Sequence, residues 1–110
     1  MTMIRAGTPL VTLINVFTVK PERQQQLIDL LVEATEAVMR HQPGFISANI
    51  HRSFDGERVT NYAQWRSRED FEAMLRNPEA QAHMRQAEDV ADSFEPHLYE
   101  VVFAESMAEG

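Results

Sequence analysis

No cysteine occurs among the 110 residues, which removes disulfides, thiolate nucleophiles and sulfur-ligated zinc as sources of stability or chemistry. Basic residues are also scarce: ten Lys and Arg stand against seventeen Asp and Glu, for a net charge of −7. That balance repels phosphate backbones and anionic lipid, and the basic side chains form no stripe, so nucleic acid and membrane are not expected partners. No apolar run approaches the ~20 residues that span a bilayer. Residues 1–8 lack the basic-then-apolar pattern of a signal peptide, and the expected location is the cytoplasm.

Apolar residues make up 44% and charged residues 25% of the chain, as in ordinary globular proteins and unlike disordered ones. The length predicts a single domain over residues 1–110, with an ordered core at about 9–106. A chain this short buries only about two thirds of its unfolded surface. A homodimer would relieve that shortage.

Residues 10–19 alternate Val11, Leu13, Asn15, Phe17 and Val19 against Thr12, Ile14, Val16 and Thr18, a β-branched strand pattern with both faces apolar enough to be covered. Pro21 suits a first helical turn, and Leu27, Leu30, Leu31, Ala34 and Val38 recur at helical spacing to about His41. Pro43 and Gly44 end that helix. A second strand is predicted at residues 45–53, a hairpin at Asp55-Gly56, and a third strand at residues 58–65. Ser67 and Asp70 form a capping pair ahead of Phe71, Met74 and Leu75. Asn77-Pro78 breaks this helix, which resumes over residues 79–91, and a last strand is expected at about residues 97–103.

This order is strand, helix, strand, strand, helix, strand: an α+β, ferredoxin-like βαββαβ fold whose helices cover one face of a four-stranded antiparallel sheet. A two-residue turn at Asp55-Gly56 pairs Ile50 with Asn61, Ala48 with Ala63 and Ile46 with Trp65. The helix-covered face then carries Ile46, Ala48, Ile50, Val59, Asn61, Ala63 and Trp65. The other face carries Ser47, Asn49, His51, Thr60, Tyr62 and Gln64 with Ile14 and Val16, a mixed surface suited to a second copy of the sheet.

On the helix-covered face the polar groups are Asn15, Asn61 and Trp65. A buried amide left unpaired costs about 1–3 kcal/mol, so each asparagine must bond to backbone, another side chain, water or a ligand. Trp65 either fills the core or aims its N–H at a bound oxygen. Geometry alone leaves both options open for all three residues.

The stretches Pro43-Gly44-Phe45-Ile46-Ser47-Ala48, Asp55-Gly56 and Asn61-Tyr62-Ala63-Gln64-Trp65-Arg66-Ser67 resemble the antibiotic biosynthesis monooxygenase family over nearly the whole chain. The subset it most resembles oxidises phenolic or anthrone-type polycyclic polyketides to quinones with O2, as dimeric α+β barrels without flavin, haem or metal. No glycine-rich dinucleotide motif stands against that. The resemblance implies Asn61 and Trp65 as catalytic residues. Phe71 stands where some members have Tyr, so a hydroxyl contact is missing there, although its ring can still stack on a flat substrate. Arg85 matches a pocket Arg after a one-residue shift. With Asn15, Phe17, Ile50 and Met74, these complete the expected substrate-binding set, and no metal ligand is expected.

The implied mechanism begins with loss of the phenolic proton and transfer of an electron from the ring to oxygen. Recombination to a hydroperoxide and loss of water then give the quinone. The protein supplies position, a water-poor pocket and donors aimed at developing negative charge. His41, His51, His83 and His97 are scattered, and none is singled out as a base. Haem-degrading members of the superfamily offer another reading: Asn15 matches their strand-one Asn, but Met74 replaces their helical Trp and His83 falls one position from their axial ligand. A non-catalytic binder of small hydrophobic molecules is the third.

Overall fold

The computed structural model describes residues 1–107; the last three residues of the expected 1–110 domain lie outside the described residues. Four strands, β1 (Val11–Thr18), β2 (Phe45–Arg52), β3 (Arg58–Trp65) and β4 (Ser93–Tyr99), form one antiparallel sheet in the order β2-β3-β1-β4. Helix α1 (Gln24–Ala37) links β1 to β2, while α2 (Arg68–Leu75) and α3 (Pro78–Val90) link β3 to β4. This is the expected α+β, ferredoxin-like arrangement with a broken second helix.

Local chemistry explains the boundaries. Ser67 caps α2 by accepting from the Asp70 N–H at 3.1 Å, and Asn77 caps α3 by accepting from the Ala80 N–H at 3.1 Å, with Pro78 in the first turn. These side chains satisfy donors that a helix start leaves open. The first helix is shorter than its apolar spacing suggested. Pro21–Arg23 and Met39–His41 are 3-10 turns on either side of α1, and Val38 leaves the helical conformation at φ −128°, ψ −57° with its side chain buried.

The hairpin register is as expected at Ile50–Asn61 and Ala48–Ala63. Its closing turn lies one residue earlier than anticipated, with the Gly56 N–H donating to the Ser53 carbonyl and Gly56 at φ 80°. At the far end the expected Ile46–Trp65 pair does not form. An irregularity between Phe45 and Ser47 sets Phe45 opposite Trp65 and leaves Ile46 43% exposed. One extra residue reverses which side chain faces inward, and Phe45 takes the inward place by meeting the Trp65 ring edge-on at a centroid distance of 5.6 Å.

The last strand begins four residues before the expected 97–103, because the Asp92 N–H donates to the Thr18 carbonyl and β4 pairs from Ser93 opposite Thr18. Pro96 lies inside it, where a proline weakens a sequence-based strand prediction. It is tolerated here because β4 is an edge strand, whose outer donors need no partner. Val102 and Phe103, expected in the strand, follow it and are exposed.

Helix-side core residues form two clusters. One gathers Leu13, Ala63, Trp65, Phe71 and Met74; the other gathers Phe17, Leu27, Val59, Ala87 and Val90. On the opposite face the chain's own N-terminal segment reaches the sheet. The Thr2 hydroxyl donates to Asn49 Oδ1 at 2.7 Å, and Gln64 Nε2 donates to the Met3 carbonyl at 2.7 Å. The mixed face expected to meet a second copy is therefore partly engaged by residues 2 and 3. Among the described residues no helix is long and apolar enough to cross a membrane.

Candidate active site

Between the helices and the sheet lies a cavity of about 350 Å³. Its floor follows from strand alternation, since every second residue of each strand faces the helices. Across the sheet, Ala48, Ala63, Leu13 and Leu98 form one row, and Ile50, Asn61, Asn15 and Pro96 form the next. The two alanines in the first row give the cavity depth, and the amides in the second give it polarity.

Asn15 and Asn61 are direct cross-strand partners. Their Oδ1 atoms are buried, and neither has a hydrogen-bond partner among the described residues. A bond to backbone or to another side chain, two of the options open from the sequence, therefore does not account for these two oxygens. Each is an acceptor left open in the free protein, on a side chain that lines the cavity, and each carboxamide also carries two N–H donors.

Trp65 is 2% exposed and lines the same cavity. Phe45 and Phe71 hold its ring edge-on from two sides, at centroid distances of 5.6 and 6.0 Å and interplanar angles of 88° and 71°. Edge-to-face contacts of this kind fix the orientation of the indole. Of the eight residues anticipated from sequence, Asn15, Phe17, Asn61, Trp65, Phe71 and Met74 line the cavity together.

The other two do not. Arg85 is exposed on α3, where its neighbour Met84 is the residue that lines the cavity. One residue of a helix is a rotation of about 100°, which carries Arg85 off the inward face. Ile50 shares the inward face of the sheet but packs against the Leu27 cluster instead of lining the cavity.

Sequence reasoning found the α2 part of the cavity's helical wall, Phe71 and Met74, but missed the parts from α1 and α3. Leu31, Ala34 and Thr35 contribute from α1, and His83, Met84, Ala87 and Glu88 from α3. The signal was available in α3, because 83, 84, 87 and 88 form one helical stripe. The Thr35 hydroxyl is already used, donating to the Leu31 carbonyl at 2.9 Å. His97 also borders the cavity, but it pairs with Ile14 on the opposite side of the strand alternation and lies 3.3 Å from Glu95. His41 and His51 are exposed elsewhere.

Two carboxylates in turns of the fold have displaced titrations. Asp70, at the start of α2, is held below the ordinary carboxylate value chiefly by the Arg66 guanidinium and next by the Ser67 hydroxyl. Asp55, in the hairpin, is lowered chiefly by the Ser53 hydroxyl and then by the Glu57 backbone N–H. Both stabilise turns that deliver cavity-bearing elements, and neither lines the cavity. Among the described residues no group of three or more His, Asp or Glu is placed to hold a metal ion.

Residues 10–86 match the family described as antibiotic biosynthesis monooxygenase. The chain is 54% identical over 83 residues to tetracenomycin-F1 monooxygenase of Streptomyces glaucescens, covering 76% of this chain and 74% of that protein. Among solved structures it is similar to SnoaB from Streptomyces nogalater, described as a cofactor-independent oxygenase, with a TM-score of 0.74 and 22% identity over 94% of this chain and 100% of that one. A conserved protein from Methanosarcina mazei shares the fold at a TM-score of 0.76 and 17% identity, covering 84% of this chain and 93% of that one. The extent of the family match and the identity to a named monooxygenase together show that this chain belongs to the antibiotic biosynthesis monooxygenase family and is an oxidoreductase.

Proposed function

We propose that the chain is a cofactor-independent monooxygenase that oxidises a phenolic or anthrone-type polycyclic aromatic, polyketide-like in character, to a quinone with O2. The observation that carries this reading is the pair of unpartnered buried oxygens of Asn15 and Asn61 beside Trp65 in an otherwise largely apolar cavity. A flat aromatic body fits apolar walls, and the several hydroxyls of a polyketide-like polycycle can supply donors of the kind those oxygens lack. The relative acting on tetracenomycin F1 supports a polyketide substrate.

In this mechanism the phenol O–H bond breaks and the resulting phenolate passes one electron to O2. The two radicals join at a ring carbon to form a C–O bond, and protonation gives a hydroperoxide. Loss of water leaves a carbonyl at that carbon. The substrate loses two hydrogens and gains one oxygen, supplying all four electrons, and the second oxygen atom leaves as water. Asn61 and Trp65 donate toward the oxygen on which negative charge develops, worth about 10²–10³ in rate per donor in sites of this type. Phe17, Phe71 and Met74 hold the rings and exclude water.

The working form is proposed to be a cytoplasmic homodimer joined through the outer sheet face. The deciding experiment is oxygen uptake by metal-stripped protein with a panel of anthrones and naphthols, with Trp65→Phe run in parallel. Uptake that depends on Trp65 supports the reading; no uptake with any member overturns it. A haem-binding reading has one observation in its favour, the position of His83 in the cavity wall, and a Soret band on haem titration would support it.

A further inference from the structure

The asparagines and Trp65 leave one step without an agent. An unactivated phenol ionises near pH ~10, and neither a neutral carboxamide nor an indole N–H accepts a proton at neutral pH. The proton must go to another side chain reaching the cavity. The ionisable residues bordering it are His83, Glu88 and His97.

Strand alternation removes His97. Its neighbours Pro96 and Leu98 pair with Asn15 and Leu13 on the inward face, whereas His97 pairs with Ile14 on the outward face and rests beside Glu95. His83 and Glu88 remain on α3, the helical wall facing the asparagines. They flank its inward stripe, with Ala87 and Met84 between them. Of the two, an imidazole is far closer in proton affinity to a phenol than a carboxylate is, and general bases work best when that gap is small.

We propose that His83 is the catalytic base that takes the phenolic proton, an assignment that rests on the phenol-oxidising reading above. The O–H bond breaks, the proton moves to a ring nitrogen of His83, and the electron pair stays on the phenolate oxygen. Nothing is oxidised in this step. The proton returns when the peroxide anion formed at the ring carbon is protonated to the hydroperoxide, so His83 is restored each turnover, and the later loss of water uses the substrate's own C–H hydrogen.

α1 and α2 present no ionisable side chain to the cavity; those that border it together with His83 are Glu88 on α3 and His97 on β4, and α3 also carries Glu79 one turn before His83. His83 is half-buried, so exchange for a polar residue is compatible with folding.

The test uses 1-naphthol, first without oxygen. Absorbance of the bound naphthol at pH 7 should show the phenolate band with wild-type protein and the phenol band with His83→Gln. With oxygen, kcat/KM of His83→Gln at pH 7 should fall about 100-fold, and the deficit should close as the pH rises and the naphthol ionises unaided. His83→Ala, which leaves a space, should recover activity with added imidazole. A phenol band with wild-type protein, or a phenolate band lost in Glu88→Gln but kept in His83→Gln, overturns the assignment even if oxygen uptake stands. A phenolate band without oxygen uptake by any variant would instead overturn the oxygenase reading and leave His83 as the proton acceptor.

Discussion

Asn15 and Asn61 face each other across the β1–β3 ladder, and both carboxamide oxygens are buried without a partner among the described residues. Two orphaned acceptors side by side are a cost to the folded chain, of about 1–3 kcal/mol each by the usual scale for unsatisfied buried groups. Their neighbours along the row, Ile50 and Pro96, are apolar and offer no donor. Such a pair is tolerated where a bound molecule completes it.

It follows that replacing either amide by leucine should separate stability from activity. Asn15→Leu or Asn61→Leu should stabilise the free protein by about 1 kcal/mol, raising Tm by about 4 °C for a chain of this size, while turnover falls by at least about 100-fold. Thermal unfolding and oxygen uptake on the same preparations check it. A loss of stability in both variants would mean that the asparagines hold the fold together after all.

A second prediction concerns Gly44, which sits at φ 83° between the Met39–His41 turn and β2 and whose carbonyl accepts from the Arg66 N–H at 2.7 Å. A Cβ there would collide with the Asp70 carboxylate. Gly44→Ala therefore incurs the left-handed backbone penalty of about 1–2 kcal/mol and also disturbs the cap of α2. Denaturant titration should show destabilisation of about 2 kcal/mol or more, with weaker substrate binding because α2 carries Phe71 and Met74.

Acid should act on the same corner. The Asp70 carboxyl is depressed below its ordinary 3.8, first by Arg66 and then by Ser67. A carboxyl depressed in the folded state contributes stability that is fully present above its unfolded value and is lost as the pH falls through the lower folded value. Asp70→Asn should thus lower Tm at neutral pH, and the gap to the wild type should shrink as the pH drops below 3.8. A gap that stayed constant into acid would show that the Arg66–Asp70 pair contributes nothing through its charge.

Much of this was legible in the sequence because strand alternation and hairpin register are local. Once Ile50 is set opposite Asn61, the parity of β3 puts Asn61, Ala63 and Trp65 on one face. The same rule misled at Ile46, because an irregularity in β2 adds a residue that alternation does not foresee. It failed again at β4, where Pro96 disguises an edge strand whose register is set by β1. The cavity's helical wall was harder to read. Which stripe of α3 faces the sheet depends on how the helix docks, and one residue decides between Met84, which lines the cavity, and Arg85, which is exposed.

The paired alanines Ala48 and Ala63 make the last prediction. They lie opposite each other on β2 and β3, and Ala63 also faces Leu13, so this row of the floor is low where its neighbours are tall. Ala63 is 2% exposed beside Trp65, and enlarging it would overpack the core. Ala48 is half-buried and lines the cavity, so Ala48→Leu adds volume mainly to the space a ligand would use. If that depth accommodates the outer rings of a polycycle, Ala48→Leu should leave kcat/KM for a two-ring naphthol within about threefold and lower it for a four-ring substrate by at least tenfold, about 1.4 kcal/mol. Equal losses for both would mean that the rings lie along the Asn15–Asn61 row instead of across the alanines.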